Sequence, residues 1–167
     1  CLDIDRKRMD LQNEEEKIVI DFEAPEAKVL IVDDNEVNLT VAAGLMAPLH
    51  MQTETALSGE KAISMITDKH YDLVFMDHMM PEMDGVETTR IIRRMYPGYD
   101  DVPIIALTAN VMEETKAMFL VEGMNDFLAK PIEVRALLDM VRQWLPPEKI
   151  NAIQAKQIET DKTTVSI

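Results

Sequence analysis

The chain has 167 residues, which fits one domain with tails and is enough to bury a core without disulfides or a structural metal. Its 31 acidic against 17 basic residues give a formal net charge of -14, which argues against sequence-independent nucleic-acid binding and against anionic membrane surfaces, both of which need cations. Cys1 is the sole cysteine, which excludes an internal disulfide or a cysteine zinc cluster and fits a reducing compartment. No stretch reaches the apolar length of a membrane span and the opening does not read as a secretory signal, so a cytoplasmic domain is expected, in a parent that is free to be membrane-anchored. The chain opens on Cys1 rather than Met and reads as a fragment or a processed product. The 13 methionines are read as gap-fillers of a core.

Residues 1–27 are highly charged, with Asp5-Arg6-Lys7-Arg8 and Glu14-Glu15-Glu16, followed by the alternation Ile18-Val19-Ile20-Asp21-Phe22 and Pro25. They read as a charged linker or the end of a preceding domain, with one helical turn and one strand. A regular domain follows over 28–146. Val29-Leu30-Ile31-Val32, Leu73-Val74-Phe75-Met76 and Ile104-Ile105-Ala106-Leu107 are continuous apolar runs closed by polar residues, the pattern of strands buried on both faces. Met51 to Ala56 and the short Asp126-Phe127-Leu128-Ala129 read as edge strands. Helical spacing fills the gaps: Val37, Val41, Leu45 and Leu49; Ala62, Ile63 and Ile66; and Val134, Leu137, Leu138, Val141 and Leu145. Ser58 and Asn110 are expected N-caps, the latter with Glu113 three residues on. Trp144 is expected to pack the last helix onto the sheet. Residues 147–167 form a C-terminal tail, expected to be helical from Glu148 to Ile158. Strand and helix alternate five times, which specifies an α/β fold with a parallel sheet, helices on both faces and right-handed crossovers.

In such a sheet the functional crevice lies at the carboxyl ends of the strands. Asp33 and Asp34 follow the first core strand, Asp77 the third, Thr108 the fourth, and Lys130 with Pro131 the fifth. Taken alone, each has an ordinary reading as a helix cap, a turn residue or a solvated lysine. Their coincidence at one end of the sheet decides for chemistry. Three clustered carboxylates repel one another, and a hard divalent cation relieves that repulsion. A lysine and a threonine can hold phosphoryl oxygens. A carboxylate can attack phosphorus to give an aspartyl phosphate, a transfer governed by positioning and charge neutralisation.

Four segments, in order, resemble the receiver domains of two-component response regulators: Val32-Asp33-Asp34-Asn35, Met76-Asp77-His78-Met79-Met80-Pro81-Glu82-Met83-Asp84-Gly85, Leu107-Thr108-Ala109-Asn110 and Phe127-Leu128-Ala129-Lys130-Pro131. The resemblance runs from about Lys28 to Leu145. It implies a flavodoxin-like doubly wound (βα)5 sheet with core strand order 2-1-3-4-5. It implies Asp77 as phosphoacceptor from a phosphohistidine, and Thr108 and Lys130 as the groups on the phosphoryl oxygens. Mg2+ would be held by Asp33, Asp34, Asp77 and the backbone carbonyl of Met79. Thr108, Phe127 and Pro131 would form the switch, with a cis peptide before Pro131 and an output surface around the fourth and fifth helices. Met79 and Asn110 would tune access of water to the phosphoaspartate.

Asp34-Asn35-Glu36-Val37-Asn38 and Gly123-Met124-Asn125-Asp126-Phe127 look like receivers fused to hybrid sensor histidine kinases, so a histidine kinase is the expected parent. A histidine kinase or a histidine phosphotransfer domain is the expected partner, with no nucleic acid bound by this fragment and no direct membrane contact. The receiver itself is expected to catalyse only its own phosphorylation, not to be an independent enzyme. The alternative is a degenerate receiver that docks without phosphorylation, which loss of a site residue would favour. An aspartyl-phosphate hydrolase would need a second acid two residues after Asp77, where Met79 stands. His78 is expected to point away from the site as the strand neighbour of Asp77. His50 and His70 are expected at helix ends without chemistry.

Overall fold

The computed structural model describes residues 17–99, 101–109 and 112–159. The predicted Asn110 cap therefore lies outside the described residues, as do residues 1–16 of the leader and 160–167 of the tail. In chain order the strands are β1 (Lys17–Glu23), β2 (Lys28–Val32), β3 (Gln52–Ala56), β4 (Leu73–Asp77), β5 (Ile104–Thr108), β6 (Asp126–Ala129) and β7 (Asn151–Glu159). The α-helices are α1 (Glu36–Met46), α2 (Gly59–Asp68), α3 (Gly85–Met95), α4 (Glu113–Val121) and α5 (Val134–Trp144).

Strands β2 to β6 make one sheet in the order β3-β2-β4-β5-β6, every neighbouring pair parallel. This is the expected 2-1-3-4-5 order once β1 is set aside. The three continuous apolar runs are the three inner strands, and β4 and β5 are buried along their whole length. The mixed-polarity runs are the edges β3 and β6.

Alternation along each strand splits the core into two layers. Val29, Ile31, Leu73, Phe75, Ile105 and Leu107 face α1 and α5, where Leu39, Ala42, Leu137, Leu138 and Val141 meet them. Leu30, Val32, Val74, Met76, Ile104 and Ala106 face α2, α3 and α4, meeting Ala62, Ile66, Ile92 and Phe119. Three helix starts are capped by side chains: Asn35 Oδ1 accepts from the Val37 N–H, Ser58 Oγ from Lys61, and Asp84 Oδ1 from Glu87. Helix α4 begins at Glu113 with Met112 in the cap position and no side-chain cap.

The tail departs from expectation. Residues 151–159 form a strand, not a helix, and pair antiparallel with β1 from Lys17↔Glu159 to Glu23↔Asn151. Ala, Gln, Lys and Glu favour helix locally, but that preference is weak and the long-range pairing overrides it. The ribbon is fastened to the domain. Ile20, Phe22, Ala24 and Ala27 are buried in the same layer as α1 and α5. The Ala24 N–H donates to Leu49 O at 2.9 Å, and Lys149 Nζ donates to both oxygens of the buried Asp72. Among the described residues, no helix is long and apolar enough to cross a membrane.

Candidate functional site

The parallel sheet brings the ends of β2, β4, β5 and β6 to one edge, and the predicted residues stand there. Asp33 is 1% exposed, Asp77 is 2% exposed and Thr108 is buried, whereas Asp34 is exposed. Asp33, Asp34 and Asp77 each offer a carboxylate oxygen, all within 4.8 Å of one another. Lys130 Nζ bridges the two buried acids, donating to Asp77 Oδ1 at 2.8 Å and to Asp33 Oδ2 at 2.9 Å. The Lys130 N–H donates to Thr108 O at 2.9 Å, which ties the β6 end to the β5 end. The Lys130–Pro131 peptide is cis, as the resemblance implied.

Three carboxylates thus face one ammonium. Burial pushes the Asp77 carboxyl above the usual carboxylate range, to about 6. The Lys130 hydrogen bond opposes that rise, and the charge of Asp33 and a hydrogen bond with Asp34 add to it. For Lys130, burial pulls the ammonium pKa down, but the bonds to Asp77 and Asp33 outweigh it and the net direction is up. At neutral pH the pair is therefore ionised on both sides.

Gly85 fixes the backbone under Asp77. A Cβ there would stand 2.2 Å from Asp77 O, so only glycine lets the start of α3 approach the end of β4 this closely. Its N–H donates to His78 O. The His78 ring meets Phe119 edge-on, at 4.9 Å between centroids, and so lies against α4. His50 Nδ1 donates to Glu23 Oε2 at 2.9 Å beside the ribbon, and His70 stacks obliquely on Tyr99. Trp144 packs against the core and donates to Asp126 Oδ2.

Phe127 is half-buried, and Lys116 Nζ of α4 sits 4.7 Å from its ring centroid. The Met79 side chain is 72% exposed. Two contributors escaped the sequence reading of the site. Gly85 was visible only as the last residue of a motif, and Asn38, whose amide reaches both oxygens of Asp33, only as part of another. The signal for Asn38 was its place three residues after the helix cap Asn35.

The family model of the response regulator receiver domain matches residues 29–142. The chain belongs to this family. Within it, the chain is 37% identical over 124 residues to the aerobic respiration control sensor protein ArcB of Escherichia coli, covering 74% of this chain and 16% of ArcB. It is 35% identical over 124 residues to the signal transduction histidine-protein kinase BarA of the same species, covering 74% of this chain and 13% of BarA. This receiver thus spans a small part of these longer relatives.

Among solved structures it resembles the chemotaxis response regulator CheY4 of Vibrio cholerae, with a TM-score of 0.68 and 29% identity over 71% of this chain and 98% of that one. It also resembles a chain of the Saccharomyces cerevisiae co-crystal of the histidine phosphotransfer protein Ypd1 with the receiver domain of Ssk1. There the TM-score is 0.70 and the identity 27%, over 75% of this chain and 93% of that one. The chain is therefore a phosphoacceptor module of two-component phosphorelay signalling. The degenerate alternative finds no support, since Asp33, Asp34, Asp77, Thr108 and Lys130 are all present.

Proposed function

We propose that Asp77 of this receiver takes a phosphoryl group from a phosphohistidine, on a histidine kinase or a histidine phosphotransfer domain. The observation that carries the assignment is the Lys130 bridge between two buried acids at the end of β4. An Asp77 oxygen attacks phosphorus, the new P–O bond forms as the P–N bond breaks, and the imidazole leaves with the electron pair of that bond. Lys130 gives up its bonds to Asp77 and Asp33 for one to a phosphoryl oxygen, and Thr108 donates to another. The three-oxygen donor set suits a hard cation, and Asp33, Asp34 and Asp77, with the carbonyl of Met79, would hold Mg2+. Bound there, Mg2+ would neutralise charge on the phosphoryl oxygens.

Phosphorylation shifts the population between two packings of Thr108, Phe127 and the Lys130–Pro131 segment, changing the surface around α4 and α5. The likeness to ArcB and BarA supports a hybrid sensor histidine kinase as parent, with the charged leader as its link to a preceding domain and the receiver on the cytoplasmic side. The receiver unit is 28–146, to which the ribbon of 17–27 and 147–159 is fastened.

The test is incubation with Mg2+ and acetyl phosphate followed by intact mass, beside Asp77→Asn. One added phosphoryl group is expected in the wild type, none in the variant and none with chelator. A short-lived phosphoaspartate would leave no adduct, but beryllofluoride would still bind. Failure of both in the wild type would return the chain to a docking module.

A further inference from the structure

We propose that Asn38 is a positioning residue of the phosphoryl site, whose side-chain amide holds the buried Asp33 carboxylate when Lys130 moves to a phosphoryl oxygen. This deepens the phosphoacceptor reading and rests on it. Asp33 is 1% exposed, so each of its oxygens needs a donor. Oδ1 accepts from the Asn35 N–H at 2.9 Å, and Oδ2 accepts from Lys130 at 2.9 Å. Asn38 Nδ2 stands 3.4 Å from Oδ1 and 3.3 Å from Oδ2, poised between the two.

Both bonds are longer than the usual range of about 2.7–3.2 Å, and Lys130 already satisfies Oδ2. Lys130 also bonds Asp77, the atom group on which the phosphoryl arrives. When its ammonium turns to the phosphoryl oxygen, Oδ2 of Asp33 loses its charged donor. A buried carboxylate oxygen without a donor is costly. A shift of a few tenths of an ångström, on the scale of ordinary hydrogen-bond lengths, brings Asn38 into full contact with it.

The local sequence explains why the amide is there. Asn38 is the third residue of α1 after its cap Asn35, and helical side chains lean toward the N-terminus. A side chain at this place ordinarily reaches back to the backbone N–H of the cap. Here Asp33 Oδ1 has taken the Asn35 N–H, so the Asn38 amide reaches past it to the carboxylate. Asparagine is a mediocre helix former, so helix propensity does not account for its presence.

The test compares Asn38→Leu, which keeps the volume and removes the donor, with Asn38→His, whose ring N–H stands at a similar reach. Mg2+ affinity is measured by titration calorimetry, then beryllofluoride affinity at saturating Mg2+. Melting of the metal-free proteins establishes that each variant folds. Asn38→Leu is expected to melt at or above the wild type, since leucine favours helix, yet to bind both probes about 3- to 10-fold more weakly, at or below the low end for groups behind metal ligands because the bonds are long. Asn38→His is expected to recover most of the loss. Binding by Asn38→Leu within twofold of wild type, or a histidine variant no better than leucine, overturns the role. A wild type that binds neither probe overturns the phosphoacceptor reading itself, and Asn38's role with it.

Discussion

Asp77 stands in the fold at an energetic disadvantage. Its carboxyl is buried among two other acids, and the single ammonium of Lys130 does not fully compensate. The folded-state pKa is raised, so the native state binds the proton more tightly than the unfolded chain does. The charged form then costs stability that is absent below about pH 4, grows as pH rises toward 6, and persists at pH 7. Asp77→Asn removes that cost. Without Mg2+ at pH 7 the variant should unfold at higher urea, by about 1–3 kcal/mol, and the gain should shrink toward pH 4. A destabilised variant at pH 7 would show that the Lys130 bond outweighs the burial. The acids and the lysine were legible at this scale because strand ends are legible. Asn38 and Gly85 were not, because their contribution is a distance to another residue and not a residue type.

Between elements, α4 meets β6 through Lys116 and Phe127. An ammonium over a half-exposed aromatic face contributes about 0.5–1 kcal/mol, enough to weight a two-state ring by about 2- to 5-fold. If the ring must turn inward when Thr108 engages a phosphoryl oxygen, Lys116 holds it back. Lys116→Met keeps the length of the side chain and removes the charge, so it should tighten beryllofluoride binding by about 2- to 5-fold. The same substitution in a Phe127→Leu background controls for the change in net charge. There the gain should vanish, and an equal gain in both backgrounds would assign the effect to charge alone. The elements themselves were readable because Val29–Val32, Leu73–Met76 and Ile104–Leu107 are uninterrupted apolar runs that only inner parallel strands carry. The pairing of Lys116 with Phe127 was not, since it joins residues 11 apart through the α4–β6 turn.

At the scale of the molecule, the ribbon was the part that sequence could not reveal. Residues 151–159 carry helix-favouring types, and nothing local says that they pair with a strand more than 100 residues earlier. One sign of it was the alternation Ile18 to Phe22, which needs a partner to be a strand. In the fold, Ile20 and Phe22 complete the layer beneath α1 and α5, with Leu49 and Leu145, at the edge of the sheet where the strands begin. The cluster of Asp33, Asp34, Asp77 and Lys130 lies at the edge where they end. Phe22 is 4% exposed, with the Arg142 guanidinium 4.6 Å from its ring centroid, so its loss opens a cavity in the shared core. Phe22→Ala should therefore destabilise the whole domain by about 3–5 kcal/mol in a single urea transition. Below that transition, acetyl phosphate should still add one phosphoryl group to Asp77, because Phe22 packs at the opposite edge of the sheet. A wild-type midpoint would mean that the ribbon rests on the domain without stabilising it. A normal fold with lost phosphorylation would mean instead that the two edges of the sheet communicate. Deleting residues 1–24 separates these outcomes, since it removes the same contacts along with the strand that presents them.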